Sequence, residues 1–249
     1  MTAEGRIDGL RRLFEEERGP GHLTSIALGE PAGRSVAVAD LRRRWREALG
    51  ESRGRRALEL GCGYGGELAY LTGEGAGVVG IDLSPRRLGT ARSNVPRAAV
   101  LLADAERLPF SDGVFSLVYA NSVLLHLDRG RTLAEIERVL EPNGTAVFFE
   151  PLDRHPALRV YRAIFTRRRG LAQYPSLEEL EGLSLGGGVE VTPWYLTAAL
   201  PVFVERLFGT SGLTRGLAGL LSRFDAWLFR RGRWACRHAW MALAIYHKG

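Results

Sequence analysis

Short apolar runs alternate with amphipathic stretches through the middle of this 249-residue chain. Short apolar runs of this kind are typical of buried parallel strands, and apolar residues at helical spacing, as over 132–140, are typical of surface helices. Their alternation predicts an α/β fold, a doubly wound and mostly parallel sheet with helices on both faces. The predicted strands are 57–60, 77–82, a third ending at Leu102, 115–120 and 145–149.

The segments on either side of this core are predicted to be mainly helical. The chain is interpreted as one domain, with an N-terminal helical segment at 1–53, a ligand-binding core at 54–150 and a substrate-side and capping region at 151–249. Apolar spacing predicts helices over 6–18, 38–49, 157–169, 176–183, 196–208 and 214–231, a short strand at 189–192 and a last strand at 240–247.

Composition and charge narrow the classes of function. Cys62 and Cys236 are too few for a disulfide framework and indicate a reducing compartment. The N-terminus does not resemble a signal peptide, and no apolar run has the length of a membrane span, so a cytoplasmic location is expected. Residues 154–249 hold 14 basic and 6 acidic residues, but no aromatic residues are interleaved with a basic stripe. Nucleic acid is therefore not an expected partner.

The candidate chemistry begins at a glycine turn after the first strand. Gly61, Gly63 and Gly65 remove Cβ atoms where the backbone must turn sharply and a ligand can lie against it. The next helix would point its free N–H groups at that ligand. Asp82 ends the second strand, 21 residues after Gly61, where doubly wound folds place an acidic residue against ribose hydroxyls. These features predict a nucleoside site.

Two kinds of nucleoside cofactor fit the glycines, because Gly61, Gly63 and Gly66 also satisfy the dinucleotide pattern, which is a weak signal alone. Glu59 argues against a nicotinamide enzyme, which stays open as an alternative, since a carboxylate there would oppose a pyrophosphate and would favour an ammonium group. Asp104 follows the third strand, within reach of an adenine amino group. The residues thus favour a nucleoside that carries positive charge.

With these motifs in order, the chain resembles class I S-adenosylmethionine-dependent methyltransferases, especially the ubiquinone and menaquinone type. The resemblance covers residues 55–150 and rests on ELGCGYG at 59–65, GIDLS at 80–84, ADA at 103–105 and RVLEPNG at 138–144. It implies a Rossmann-like sheet of seven strands with the last antiparallel, and S-adenosylmethionine as cofactor. The implied cofactor-binding residues are Glu59, Gly61, Cys62, Gly63, Gly65, Asp82, Leu83, Asp104, Ala105, Asn121 and Ser122.

Two residues are candidates for the chemistry itself. His126 follows the fourth strand, and histidine can accept a proton near neutral pH. Glu150 ends the fifth strand and is expected to point at the opening of the same predicted ligand site. No ligand spacing supports a metal, so none is expected. A helical lid over a hydrophobic small-molecule acceptor, in specialised metabolism rather than respiratory quinone synthesis, is predicted from aromatic residues of the capping region. They are Trp194, Tyr195, Phe203, Phe208, Phe224 and Trp227.

Alternatives stay open at this stage. The stripe of apolar residues over 214–231 is interpreted as a helix packed over the active site, and contact with a membrane is possible but not favoured. A membrane-associated lipid or prenyl-chain methyltransferase is thus one alternative. A cyclase or rearrangement enzyme that binds the cofactor without methylating is another. The protein is expected to be a monomer or a homodimer.

Overall fold

A computed structural model of the chain describes residues 3–16, 46–165, 171–201 and 212–249. Seven strands alternate with helices, as the pattern predicts, except that no helix separates the third strand from the fourth. The helices are α1 (Ala3–Glu16), α2 (Gly66–Gly73), α3 (Pro85–Asn94), a 3-10 helix (Leu124–His126), α4 (Arg129–Val139), α5 (Pro156–Phe165), α6 (Leu177–Gly182), α7 (Gly212–Arg231) and α8 (Arg233–Arg237). The strands are β1 (Arg56–Leu60), β2 (Gly77–Asp82), β3 (Ala99–Leu102), β4 (Phe115–Asn121), β5 (Leu140–Pro151), β6 (Gly186–Trp194) and β7 (Met241–Lys248).

The strands form one sheet in the order β3-β2-β1-β4-β5-β7-β6. Strands β1 to β5 are mutually parallel, whereas β7 runs antiparallel to both of its neighbours. The predicted fold class is confirmed, including the antiparallel last strand. Because the first five strands are parallel, their carboxyl ends lie along one edge of the sheet, which is where such folds bind ligands.

The core is divided between the two faces of the sheet, and side chains alternate between them. Leu117 and Tyr119 of β4 pack into one hydrophobic cluster, and Val118 and Ala120 into the other. In β1, Leu58 and Leu60 belong to the second cluster, so Glu59 points to the opposite face. The apolar runs are thus buried on both sides, which explains why they read as continuous rather than alternating.

Local signals account for several helix boundaries. Ser84 caps α3, since its Oγ accepts a hydrogen bond from the backbone N–H of Arg87 at 3.2 Å, and Pro85 occupies the first turn. Ser176 and Glu179 form a reciprocal capping box at α6. The sequence pattern therefore predicts the first residue of each of these two helices to within one position.

The C-terminal elements differ from prediction mostly in length. Strand β6 covers 186–194 rather than 189–192, because it pairs with β7 along most of its length. Strand β5 covers 140–151 rather than 145–149, and the predicted helix at 157–169 is described only as far as Phe165. The predicted helix at 38–49 is described only over 46–49, and most of the predicted helix at 196–208 lies outside the described residues. None of the described helices is long and apolar enough to cross a membrane.

Candidate active site

A cavity of about 550 Å³ opens at the carboxyl edge of the parallel strands, within the size range of small-molecule sites. Its wall consists of the end of β1 and the turn after it, the ends of β2 and β4, the segment after β3, the 3-10 helix and parts of α1, α2 and α3. The lining residues are Leu10, Phe14, Glu59, Gly61, Cys62, Gly63, Tyr64, Gly66, Glu67, Ile81, Asp82, Leu83, Arg87, Thr90, Asn94, Ala103, Ala105, Asn121, Ser122, Val123, His126 and Leu127.

The turn after β1 needs glycine for its backbone conformation. Gly61, Gly63 and Gly65 all have positive φ, at 65°, 53° and 86°. A Cβ at Gly61 would lie 2.6 Å from Cγ2 of Val123, which is closer than real Cβ contacts. The glycines therefore let the turn pass under the loop after β4 and leave its backbone facing the cavity.

Gly61→Ala is expected to lower the free energy of unfolding by about 2–4 kcal/mol, because alanine meets both an unfavourable φ and the Val123 side chain. Gly66→Ala is the matched control, since Gly66 also lines the cavity but is helical, and a Cβ there would have no other atom within 4 Å. That control should be neutral or slightly stabilising. Urea titration of both variants measures the difference, and equal stabilities would contradict the steric explanation.

Asp82 is fixed at the end of β2 by backbone donors. The N–H of Gly63 donates to Oδ2 at 3.0 Å, and the N–H of Ser84 donates to Oδ1 at 2.8 Å. Burial raises the pKa of Asp82, whereas Arg87 and these backbone donors lower it. The carboxylate thus ties the glycine turn to β2. Since an ionised carboxylate has about four lone-pair positions, it also keeps acceptor capacity for ligand hydroxyls.

The cavity is rich in carboxylates, with Glu67 and Asp82 lying near Glu59. Burial first, and then the charges of Glu67 and Asp82, raise the pKa of Glu59 well above its ordinary value. Glu59 is buried, and among the described residues its Oε2 has no hydrogen-bond partner. Burying a carboxylate this way is costly unless something compensates it. A cationic ligand would offset this cost, and a pyrophosphate would increase it.

Asn121 and Ser122 continue this polar wall at the end of β4. Asn121 Nδ2 donates to Glu67 Oε1 at 3.1 Å, and Ser122 Oγ donates to Asn121 Oδ1 at 3.1 Å. Ser122 has a positive φ of 57°, which is rare for a residue with a side chain. Its N–H donates to Phe149 O at 2.8 Å, which holds this conformation in place.

Helix α1 forms a wall of the cavity that the sequence did not predict. Leu10 and Phe14 line the cavity from this helix. Arg6 donates to the carbonyl oxygen of His126 and forms an ion pair with Glu106. The helix is thus fixed by contacts with residues a hundred or more positions away in sequence. Its amphipathic pattern is visible in the sequence, but spacing alone cannot say which surface the apolar side covers.

His126 lies on the 3-10 helix, buried but facing the cavity. Its Nδ1 is 3.4 Å from the carbonyl oxygen of Leu171, and its ring meets the Phe14 ring edge-on with centroids 5.4 Å apart. A donation from Nδ1–H to Leu171 would place the basic lone pair on Nε2. The structure therefore brings His126 into the same cavity as Glu59 and Asp82.

Glu150 does not line this cavity, although it was expected to point at its mouth. It is fully buried at the end of β5, where its Oε1 accepts the backbone N–H groups of Val123 at 2.8 Å and Leu124 at 2.9 Å. Burial raises the pKa of Glu150 to about 7. The structure thus gives Glu150 a contact that positions the loop leading to His126.

Glu150→Gln is expected to change how stability depends on pH. Because the pKa of Glu150 in the folded protein is raised from 4.5 to about 7, its stabilising contribution is complete below pH 4.5 and is lost as pH rises through 7. Glutamine can still accept both N–H groups but does not ionise. Between pH 4.5 and 8 the wild type should therefore lose up to about 3 kcal/mol relative to the variant in urea titrations. Parallel pH profiles would contradict this assignment.

Two of the implied cofactor-binding residues lie outside the cavity wall. Gly65 sits behind the turn as the N-cap of α2, with Ala91 and Val95 against it. Asp104 Oδ1 accepts the N–H of Glu106 at 2.9 Å, so its carboxylate closes a local turn. Ala105, beside it, does line the cavity. The contact of Asp104 with an adenine group stays a prediction.

The lid predicted in the C-terminal region also stays a prediction. Among the described residues, the cavity wall contains none beyond Leu127. Trp194 and Tyr195, expected near the acceptor, are buried in a hydrophobic cluster with Leu158 and Trp240. Phe203 and Phe208 lie outside the described residues. In the described part of the chain, α1 supplies the covering wall instead.

Comparison with known proteins agrees with this geometry. A family model described as a methyltransferase domain matches residues 58–148, from β1 into β5. Residues 58–148 thus match a methyltransferase domain, and the sheet order is that of the class I methyltransferase fold. The uncharacterized methyltransferase sll0829 of Synechocystis is 36% identical over 130 residues, which are 48% of this chain and 60% of that protein. Methyltransferase GfsG of Streptomyces halstedii is 33% identical over 156 residues, 56% of each chain. The chain thus matches less than two thirds of both relatives.

Likeness in fold extends beyond the matched segment. A crystal structure of geranyl diphosphate C-methyltransferase from Streptomyces coelicolor A3(2) superposes with a TM-score of 0.63, over 98% of this chain and 97% of that one, at 16% identity. That protein was crystallised with Mg²⁺, geranyl diphosphate and S-adenosyl-L-homocysteine. The fold that the sequence motifs indicated is therefore confirmed, and the family match over residues 58–148 agrees with the motifs. Likeness to a structure at 16% identity shows the fold alone.

Proposed function

We propose that this chain is an S-adenosylmethionine-dependent methyltransferase that acts on a hydrophobic small-molecule acceptor in specialised metabolism. The observation that carries the proposal is the acidic cavity beside the glycine turn, in a domain of the methyltransferase family. The unpartnered Oε2 of Glu59 suits a cationic amino acid moiety, and Asp82 suits ribose hydroxyls. The residues present therefore fit this cofactor.

Each group of residues has a defined part in the proposed reaction. When bound, the cofactor supplies an electrophilic methyl group on a sulfonium leaving group. Glu59 would hold its cationic amino acid moiety, and Asp82 would hold its ribose hydroxyls. Asn121 and Ser122 would line the cavity beside it. The glycine turn allows close approach of the ligand to the backbone. The protein's main contribution is then alignment of the acceptor with the methyl group and exclusion of water.

The acceptor is proposed to lie against the apolar part of the wall. Leu10 and Phe14 of α1, with Val123 and Leu127 after β4, provide this surface, and His126 lies between them on the 3-10 helix. A hydrophobic acceptor suits this surface, because burying apolar area is favourable. His126 is proposed as the base for an acceptor whose hydroxyl or acidic carbon needs deprotonation.

Support for specialised metabolism comes from where the family match ends. The family model stops at residue 148, so the segment that would shape acceptor choice is outside it. The chain after that point contains helices and the strands β6 and β7. An acceptor particular to this protein is therefore proposed, rather than one shared by the whole family.

The proposal is tested first by calorimetry with S-adenosylmethionine, S-adenosylhomocysteine and a reduced nicotinamide dinucleotide. Binding of the first two and not the third is expected, and the reverse would overturn the cofactor assignment. Acceptors are then screened by mass spectrometry with S-adenosylhomocysteine measured alongside. Consumption of an acceptor without S-adenosylhomocysteine would identify the non-methylating cyclase alternative.

A further inference from the structure

Helix α7 presents an apolar stripe to solvent instead of packing it over the active site. Of the six apolar residues that the sequence placed on one face, four form this stripe: Leu217, Leu220, Phe224 and Trp227, spaced three or four residues apart and so on one side of the helix. The other two, Leu221 and Leu228, are half-buried. All four residues of the stripe are exposed, Leu220 by 65% and Trp227 by 42%. The interpretation of this stripe as a helix face covering the active site does not hold for these side chains.

The opposite side of α7 holds the helix on the protein. Ala218 and Asp225 are buried there. The Asp225 carboxylate accepts the backbone N–H groups of Leu196 at 2.8 Å, Thr197 at 2.9 Å and Ala198 at 3.0 Å. This fixed buried side sets the rotation of the helix, and so it holds the apolar stripe outward.

The exposed charges that α7 itself carries beside the apolar stripe are of one sign. The sequence of α7 contains four arginines and a single acidic residue, Asp225, which is buried. Arg223 and Arg230 are exposed beside the stripe, and the Arg231 guanidinium lies 4.5 Å from the centroid of the Trp227 ring. The solvent-facing side of α7 therefore combines aromatic and aliphatic side chains with positive charge only.

We infer that the apolar stripe of α7 docks on the surface of a bilayer that contains anionic lipid. Exposed apolar surface of this kind marks interaction sites, and Trp, Phe and Leu flanked by arginine are the composition of helices that lie in the membrane interface. Anionic headgroups complement the arginines. A second copy of this chain fits less well, because a two-fold contact through the stripe would bring the arginines of both copies together.

The test is flotation of the full-length protein with vesicles of phosphatidylcholine alone or mixed with phosphatidylglycerol. Binding should be at least tenfold stronger to the mixed vesicles and should weaken as salt is added. Leu220→Ser with Trp227→Ser should reduce that binding at least tenfold. Arg230→Gln with Arg231→Gln should remove most of the preference for phosphatidylglycerol.

The matched control is Leu101→Ser with Val160→Ser, which changes two other exposed apolar residues, on β3 and α5. It should bind vesicles as the wild type does. Circular dichroism and calorimetry with S-adenosylmethionine check that every variant is folded, and because vesicle binding needs no turnover, it can fail independently of the proposed activity. Failure of the wild type to bind mixed vesicles, or equal binding by the Leu220/Trp227 variant, would overturn the inference. The inference would also be overturned if the wild type formed a dimer without lipid and the Leu220/Trp227 variant did not.

Discussion

Asp82→Ala is expected to weaken binding of S-adenosylmethionine by about 1.5–3 kcal/mol, roughly ten- to 150-fold. The reason is the loss of hydrogen bonds between ribose hydroxyls and a charged acceptor that is held in place by Gly63 and Ser84. Calorimetry of the folded variant measures the loss directly. An unchanged dissociation constant would contradict the role assigned to Asp82.

Asp82 also stabilises the glycine turn, so a loss of affinity alone does not locate the lost contact. Comparing adenosine with 2′,3′-dideoxyadenosine separates the two effects. The wild type should prefer adenosine, and Asp82→Ala should lose most of that preference if the carboxylate binds the hydroxyls. A variant that binds both nucleosides more weakly by the same factor would show that Asp82 acts only through the turn.

The sequence predicts the cofactor side of the site well because its signals are local. The glycines after β1 have positive φ, as their spacing suggested, and Ser84 with Pro85 begins α3. Glu59 and Asp82 both reach the cavity, since each is at or near the carboxyl end of a parallel strand. A short stretch of chain determines each of these features, so periodicity and residue type were sufficient to predict them.

The other parts of the site depend on contacts between segments that are distant in sequence, which residue spacing cannot predict. Arg6 meets Glu106, and Gln173 N donates to Leu125 O at 2.6 Å, so α1 and residues 171–173 reach the cavity region through tertiary packing. Glu67 also lines the cavity and was missed. Its position in the first turn of the helix after the glycine turn was the available signal.

Glu150 and α7 are two further cases in which residue spacing cannot predict a tertiary contact. Glu150 ends a strand as expected, but which neighbour its carboxylate meets depends on how the loop after β4 folds back over it. In α7 the apolar stripe does form one side of a helix, as its spacing indicates. Periodicity does not reveal that the buried side is instead the one with Ala218 and Asp225.

His126→Ala is expected to lower kcat about 10²-fold or more while the affinity for S-adenosylmethionine changes little. The physical reason is that a general base acts in the transition state and not in cofactor binding. His126 lines the cavity beside Phe14, at the apolar wall proposed for the acceptor. The wild-type rate should fall at acid pH as the imidazole is protonated, and the variant should lose this acidic limb.

His155→Ala is the matched control for this prediction. His155 is equally buried, but its Nε2 lies 3.1 Å from Leu196 O and it is outside the cavity wall. Its replacement should lower the thermal midpoint and leave kcat per folded molecule and the acidic limb unchanged. Near-native turnover of His126→Ala with an authentic acceptor would mean that positioning alone suffices. If Glu150→Gln instead lost the acidic limb of the pH–rate profile, the titrating group would be the buried Glu150 carboxyl. That carboxyl is linked to the 3-10 helix through Val123 and Leu124.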